Sequence, residues 1–411
     1  MLKIIHNKYF YTGLISIVVL VAVFFILPGF LPVDFIVNSK SNLNNIASST
    51  QATSTATSSE PVVIKKTATH IKAPDAVKAI YMTACVAGTP SFRAKLLKLA
   101  NETEINSIVI DVKDYTGTIS FEIDNPEFKD NAGGGCRVKD LPSFIETLHQ
   151  NNIYVIARIT SFQDPYAAKT HPDWAVKKNS DRAVNWKDRK GISYIDAGNK
   201  EMWQYLAELS RESYAIGFDE INFDYIRFPS DGDMKDIYFP WSQETLKAYA
   251  TSTGFVTGKS TVMKSFYEYL HQTLSVDAGI PISADLFGMT ATNYDDLNIG
   301  QVMEDAAPNF DYIDQMVYPS HYPVGFMNYM SVAAVNAHPY EIVKFSMDTA
   351  ARRVKALINP TIKTTKTIAS STASSTVTSV TVPAKYTKVA ELRPWLQDND
   401  YPVPYTAAMV R

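Results

Sequence analysis

Only two of the 411 residues are cysteine, Cys85 and Cys136. So low a count excludes a disulfide-rich scaffold, and the pair forms no CxxC metal or redox motif. One disulfide or two inert thiols are the fates left open. An excess of charge is also missing: the formal net charge is −3, which suggests neither nucleic acid nor a polyanionic surface as a partner. Absent motifs exclude more. No GxGxxG turn or P-loop comes after the first strand-like segment, which argues against a dinucleotide or nucleotide fold. No HxxxH or HExxH spacing occurs, and His171 and His321 stand alone, so no catalytic metal is expected. The nucleophile elbow GxSxG is lacking as well.

Near the N-terminus the missing ingredient is charge. From Tyr9 to Leu27 there is none, and the run is mostly Ile, Val, Leu and Phe. That length matches a helix crossing a ~30 Å hydrocarbon core. Lys3 and Lys8 precede it, which leaves the N-terminus cytoplasmic and exports the remainder of the chain. A cleaved signal peptide is the rival reading, but the run exceeds the roughly 7–15 residues of an h-region and no small-x-small site comes directly after it. Residues 1–37 are therefore expected to be a short cytoplasmic tail and a transmembrane anchor. Residues 38–72, dominated by Ser, Thr, Ala and Asn, bury too little surface to offset ordering entropy and read as a flexible linker. The globular domain is expected over 73–411.

In that domain, strand-like and helix-like segments alternate. Ala79–Ala84, Ile105–Lys113, Ile153–Ile159, Gly217–Pro229, Pro281–Leu286, Tyr312–Tyr318 and Leu392–Gln397 read as strands. Helices fall at about Ser91–Glu102, Leu141–Asn151, Lys200–Ala215, a region ending near Val276, and Tyr340–Leu357. Short β-branched strands each trailed by a helix predict a parallel sheet with helices outside. Seven such units fit a TIM-like (β/α)8 barrel that lacks its last β/α unit. A Ser/Thr-rich tract at about 363–383 interrupts the pattern as a low-complexity insertion. The chain stops at Arg411, just after a helix begins near Thr406, so it is expected to be truncated or to form a barrel open on one side.

Barrel active sites lie at the C-terminal ends of the strands. Strand two ends in Asp111 and Lys113, strand three in Arg158, strand four in Asp224 and Arg227. Strand five contributes Asp285, strand six Tyr318 and then His321, and strand seven Trp395 and Gln397. Strand six is ambiguous, because Gln315 shares parity with Ile313 and Val317. Two carboxylates, one ionised and one protonated, are the machinery of glycoside hydrolysis. Asp224 is the candidate nucleophile or base, Asp285 its acid partner, and Asp111 a third carboxylate; a salt bridge with Lys113 or Arg158 is the bland alternative for Asp111. Arg158 and Arg227 would orient these groups. Trp174 and Trp186 in the loop after strand three, with Tyr225, Tyr318 and Trp395, offer platforms for a sugar, although loop packing explains each singly. Glu220, deeper on strand four, reads as structural.

The segments Ile110–Asp114, Ile153–Ile159, Phe218–Pro229 (FDEINFDYIRFP), Val317–Tyr322 (VYPSHY) and Arg393–Gln397 (RPWLQ) resemble a family of bacterial membrane-anchored glycoside hydrolases, named by inference and known as a domain of unknown function. The resemblance spans most of 76–397. It implies a glycosidase TIM barrel, a role for Asp224, an oligosaccharide or polysaccharide substrate and no organic cofactor. It supplies neither the sugar nor the linkage. The family continues into a final strand–helix unit beyond the seventh strand, and the Ser/Thr tract is a departure from it. A non-catalytic glycan-binding or cell-wall-organising protein on the same fold is the alternative. A barrel deacetylase is a third, against which the missing His motif speaks.

Overall fold

The computed structural model describes residues 68–131, 136–251, 256–358 and 386–411, and the backbone of 361–366 and 376–381. The expected membrane anchor and most of the expected linker lie outside these residues. Among the described residues no helix is long and apolar enough to cross a membrane.

Seven parallel strands form one sheet in strict sequence order. They are β1 (Ala79–Met82), β2 (Ser107–Lys113), β3 (Tyr154–Thr160), β4 (Glu220–Asp224), β5 (Ile282–Phe287), β6 (Tyr312–Met316) and β7 (Glu391–Leu392). Longer helices occupy the crossovers: α1 (Pro90–Glu102), α2 (Leu141–Gln150), α3 (Lys200–Ala215), α4 (Gly258–Leu270) and α5 (Pro339–Ile358). Helix starts carry readable signals. Asn199 accepts the Met202 N–H at 2.6 Å ahead of α3, Thr257 and Ser260 form a capping box on α4, and proline occupies the first turn of α1, α2 and α5, where its missing N–H costs nothing.

The period-two pattern decides which way each strand faces. Ile108, Ile110, Val155, Ala157, Ile221, Phe223, Ile282, Ala284, Leu286 and Ile313 are fully buried in the main core under the helices. Each large aliphatic among them contributes about 1.5–3 kcal/mol on burial. The opposite faces converge on the inside of the curl, where Val109, Tyr154 and Ile156 pack with Trp395. β1 and β7 share no backbone hydrogen bonds among the described residues. The sheet nevertheless curls far enough for their side chains to meet, with Tyr81 and Trp395 edge to face at 6.4 Å. The result is a curled, TIM-like α/β half-barrel of seven parallel strands, its two edge strands unpaired with each other among the described residues and in contact at the mouth through side chains.

Three boundaries differ from expectation. The body reaches back to His70 and Ile71: His70 stacks on Tyr214 at 3.9 Å, and the Ile71 N–H donates to Asp219 at 2.7 Å. Seventh-strand pairing covers Glu391–Leu392, with one further bridge from Met316 to Trp395. The N–H groups of Glu391, Arg393 and Trp395 donate to Asp311, Ile313 and Gln315, so Pro394, which has no N–H, falls where none is needed on the β6 side. The flanks of the Ser/Thr tract, Thr361–Lys366 and Thr376–Thr381, pair as an antiparallel ribbon, in keeping with their many β-branched residues.

Below the mouth the interior is ionic. Glu220, fully buried, receives Arg393 at 2.6 and 3.1 Å and the Tyr154 hydroxyl at 3.1 Å. Arg393 also donates to Asp314 at 2.9 and 3.1 Å and lies 3.7 Å over the Tyr312 ring. Removing one member of such a network strands the others in low dielectric. Arg393→Met is expected to destabilise the domain by about 3–5 kcal/mol, read from urea denaturation; a loss under about 1 kcal/mol would show that the network does not hold β7 in place.

Candidate active site

The site is assembled at the C-terminal ends of β1 to β7. Arg158 leaves β3 between carboxylates from both neighbouring strands. Its Nη1 donates to Asp111 Oδ1 at 2.7 Å, its Nη2 to Asp224 Oδ2, and its Nε lies 3.8 Å from Asp285 Oδ2. The Tyr81 hydroxyl donates to the other oxygen of Asp111, and the Arg158 guanidinium sits 5.5 Å above the Tyr81 ring. Arg158 is raised well above its ordinary pKa; burial opposes that rise, and the charges of Asp224, Asp111 and Asp285 outweigh it.

Asp224 ends β4, and the chain turns sharply after it. Tyr225 adopts a left-handed backbone conformation (φ 52°), an uncommon and strained state for a bulky residue. The turn brings the Tyr225 N–H onto Asp224 Oδ1 at 2.5 Å. Asp285 on β5 is 1 % exposed. Its Oδ1 accepts two N–H groups, Trp395 Nε1 at 2.7 Å and Asn222 Nδ2 at 3.0 Å. Burial, and after it repulsion from Asp224 and Asp314, lifts Asp285 well above the carboxylate range. With Oδ1 occupied by donors, Oδ2 is the oxygen left free to carry a proton. Asp111 is also raised by burial, against the pull of Arg158.

Asp314 is the register neighbour of Asp285 on β6, and Asn222 donates to both, reaching Asp314 Oδ2 at 3.2 Å. Burial pushes Asp314 up to about 6 although Arg393 pulls it down. A pocket of about 650 Å³ opens above these groups, lined by Tyr81, Arg158, Asp224, Tyr225, Arg227, Asp285, Tyr318, His321 and Trp395 together with Phe287, Met289, Met316 and Tyr322. Gly288 also lines it, and a Cβ there would sit 2.4 Å from the Met316 carbonyl oxygen, so only glycine permits this approach of the β5 and β6 ends. Burial raises the Tyr318 hydroxyl, with help from Asp285, and lowers His321.

Asp111, Arg158, Asp224, Tyr225, Arg227, Asp285, Tyr318, His321 and Trp395 are thus brought together. Four expected residues are not. Lys113 lies past a register shift in β2, so that it aligns with core-facing Ile159; its ammonium is fully buried on Asp164 at 2.7 Å. Trp186 is 1 % exposed and donates to the Asp233 carbonyl at 2.9 Å. Trp174 stacks on His171 at 4.0 Å and donates to Glu201. The Gln397 amide is spent on the Ser320 N–H and the carbonyls of Asn399 and Tyr401. Sequence reasoning missed Tyr81, Asn222, Asp314 and Arg393. The alternation Tyr312, Asp314, Met316 against Ile313, Gln315, Val317 carried the signal for Asp314. Gln315 in fact faces the helices, within 3.4 Å of the Met303 sulfur.

The profile of a "putative glycosyl hydrolase domain" family matches residues 79–366. The chain belongs to this family. Among solved structures it is similar to a hypothetical protein from Ruminiclostridium thermocellum ATCC 27405, at 31% identity over 50% of this chain and 96% of that one (TM-score 0.42). It is also similar to the PgaB (BpsB) glycoside hydrolase domain from Bordetella bronchiseptica, at 12% identity over 69% and 82% (TM-score 0.47). A third is α-L-fucosidase isoenzyme 2 from Paenibacillus thiaminolyticus, at 12% identity over 71% and 51% (TM-score 0.41). No curated protein matches. All three scores lie under 0.5, so the glycosyl hydrolase family assignment rests on the profile.

The buried acids of this family member have a consequence for stability. A carboxyl whose folded pKa is raised holds its proton more tightly in the native chain than in the unfolded one. Its contribution is full below the unfolded value of about 4 and is lost as pH rises through the folded value, about 6 for Asp314. Asp285 and Asp111 act with the same sign. Urea denaturation between pH 4 and 8 should therefore show a gentler decline with rising pH for Asp314→Asn than for the parent chain. Parallel curves would mean that Asp314 is ionised throughout.

Proposed function

We propose that the domain cleaves O-glycosidic bonds of an extracytoplasmic polysaccharide, with Asp224 as nucleophile and Asp285 as general acid and then general base. One observation supports this above the others. Two carboxyl groups share one mouth in opposite environments, Asp224 on a guanidinium and a backbone N–H, Asp285 buried and pushed towards its neutral form. The pairing of β4 with β5 matches Asn222 with Ser283 and Phe223 with Ala284; one residue further, Asp224 falls beside Asp285. Adjacent strands are about 4.8 Å apart, which suits the ~5–5.5 Å carboxyl separation of a retaining glycosidase.

In this reading Asp285 Oδ2 gives its proton to the glycosidic oxygen while Asp224 attacks the anomeric carbon. The departing sugar leaves with that proton, and a glycosyl ester forms on Asp224. Asp285, now ionised, takes a proton from the water that hydrolyses the ester, restoring both groups. Arg158 balances the charge that moves between them, and Trp395 fixes the acid through its N–H while its ring walls the pocket. Tyr225, Tyr318 and His321 complete the sugar-facing surface.

Hydrolysis of a responsive glycan tests the roles. Asp224→Asn should lower kcat by about 10³-fold or more. Asp285→Asn should lose about 10²–10⁴-fold on natural glycans but far less on substrates with an activated aryl leaving group, which need no proton. Hydrolysis within tenfold of the parent by Asp224→Asn would refute the assignment. Binding without any release of reducing sugar by the parent chain would favour the glycan-binding alternative.

We also propose that the domain is displayed outside the cytoplasm on a single N-terminal anchor. The uncharged run from Tyr9 to Leu27 supports this, as does the pairing of Cys85 with Cys136, since disulfides persist in oxidising compartments. Protease added to intact cells should digest the domain; complete protection, lifted only by lysis, would overturn the topology.

A further inference from the structure

Among the described residues Arg227 is a cation without a counter-ion, set in the wall of the pocket. It is 8 % exposed and lines the same cavity as Asp224 and Asp285. The other interior arginines are neutralised: Arg158 by three carboxylates, Arg393 by Glu220 and Asp314, and Arg353 by Glu304, at 2.7 Å from its Nε. No carboxylate among those residues pairs with Arg227. Asp188, whose charge acts on the same neighbourhood, turns Oδ1 to the Lys190 and Ile192 N–H groups and Oδ2 to Gln163.

What Arg227 does have is a fixed orientation. Its Nη1 donates to the Phe228 carbonyl and the Ser230 hydroxyl, each at 3.1 Å. Its guanidinium lies 4.9 Å from both the Tyr225 and the Phe287 ring centroids. Among the described residues no hydrogen bond is taken from Nε or Nη2. That edge is the fork that meets two oxygens of a carboxylate or sulfate side by side. A buried guanidinium lacking an anion is costly, and the two rings recover only part of that cost. An anion arriving with the substrate would supply the rest.

We infer that Arg227 is an anion subsite, and that the glycan taken by this pocket carries a carboxylate or sulfate on the sugar that packs against Tyr225 and Phe287. The inference rests on the glycosidase reading for the site's use, though not for the anion contact itself. If Arg227 merely balanced the charge of Asp224 and Asp285, neutral and acidic sugars would bind alike. Arg158 already touches both of those carboxylates, so the second cation is left for the ligand.

Matched pairs of oligosaccharides separate the possibilities. Oligogalacturonate, oligomannuronate and hyaluronan oligomers would be titrated against the full chain beside the same oligomers with their carboxyls reduced, and chondroitin sulfate beside its desulfated form. At least one charged member should bind about tenfold or more tighter than its neutral counterpart, with the preference falling as salt is raised. The pair that shows it tells carboxylate from sulfate. Arg227→Gln should bring the charged ligand down to the neutral level, and Arg227→Lys, which keeps the charge but not the fork, should retain part of the preference. Thermal melting of both variants checks that they fold, and the parent chain's own preference stands without them. No charge preference in any pair, or an equal loss on both members in Arg227→Gln, would overturn the subsite. Hydrolysis measured in parallel keeps the two readings apart. A charged glycan bound through Arg227 and left uncut would sink the glycosidase reading alone; neutral and charged glycans cut equally well would sink the subsite alone.

Discussion

The guanidinium of Arg158 is the part on which the mouth of this barrel depends. It lies among Asp111, Asp224 and Asp285, from three different strands. Without it, three carboxyl groups would face one another in a largely buried space, and burial alone would push them towards their neutral forms. One cation cannot satisfy three anions equally. Asp111 and Asp224 receive its terminal nitrogens directly, while Asp285 meets only Nε at 3.8 Å. That inequality adds to burial and to repulsion from Asp224 and Asp314, which together lift Asp285 well above the carboxylate range. The proposed division into acid and nucleophile draws on this unequal reach together with the burial of Asp285.

Beneath this layer lies a second with its own arginine. Arg393 joins Glu220 to Asp314, and Asn222 spans the two layers by donating to both Asp314 and Asp285. The polar faces of β4, β5 and β6 are thus one connected column. Each buried charge in it has a partner, as it must where desolvation costs several kcal/mol per ion. The column also explains why Asp285 feels Asp314: they are neighbours across one strand pair, too close for both to ionise freely.

How far this was legible in the sequence depends on the element. The alternation of Ser283 and Asp285 with Ile282, Ala284 and Leu286 states which side faces the helices, and the order of seven β/α units states that the polar sides converge. Asp224, Asp285 and Arg158 can be read from those two facts. Lys113 cannot, because one extra residue in β2 reverses the face on which a side chain emerges, and a bulge leaves no compositional mark. Trp174 and Trp186 share a loop with no period to orient them, and indole packs into loops as readily as against sugars. Asp314 was hidden by its neighbour. Gln315 is equally polar yet shares parity with the apolar Ile313 and Val317, which blurs the alternation that sets Asp314 on the opposite face.

The seventh strand matters beyond its two paired residues. Its segment supplies Arg393 to the lower layer and Trp395 to the upper one, two residues apart and so on the same face. Arg393 satisfies the acids that would otherwise repel Asp285 more strongly, and Trp395 donates to Asp285 itself while meeting Tyr81 across the seam. Tyr81 in turn donates to Asp111, which returns the chain of contacts to Arg158. Among the described residues the first and seventh strands are therefore joined through the site and not through a ladder of backbone hydrogen bonds. In such an arrangement the order of the carboxyl groups and the closure of the barrel mouth are one property, because the side chains that seal the seam are those that hold the acids in place.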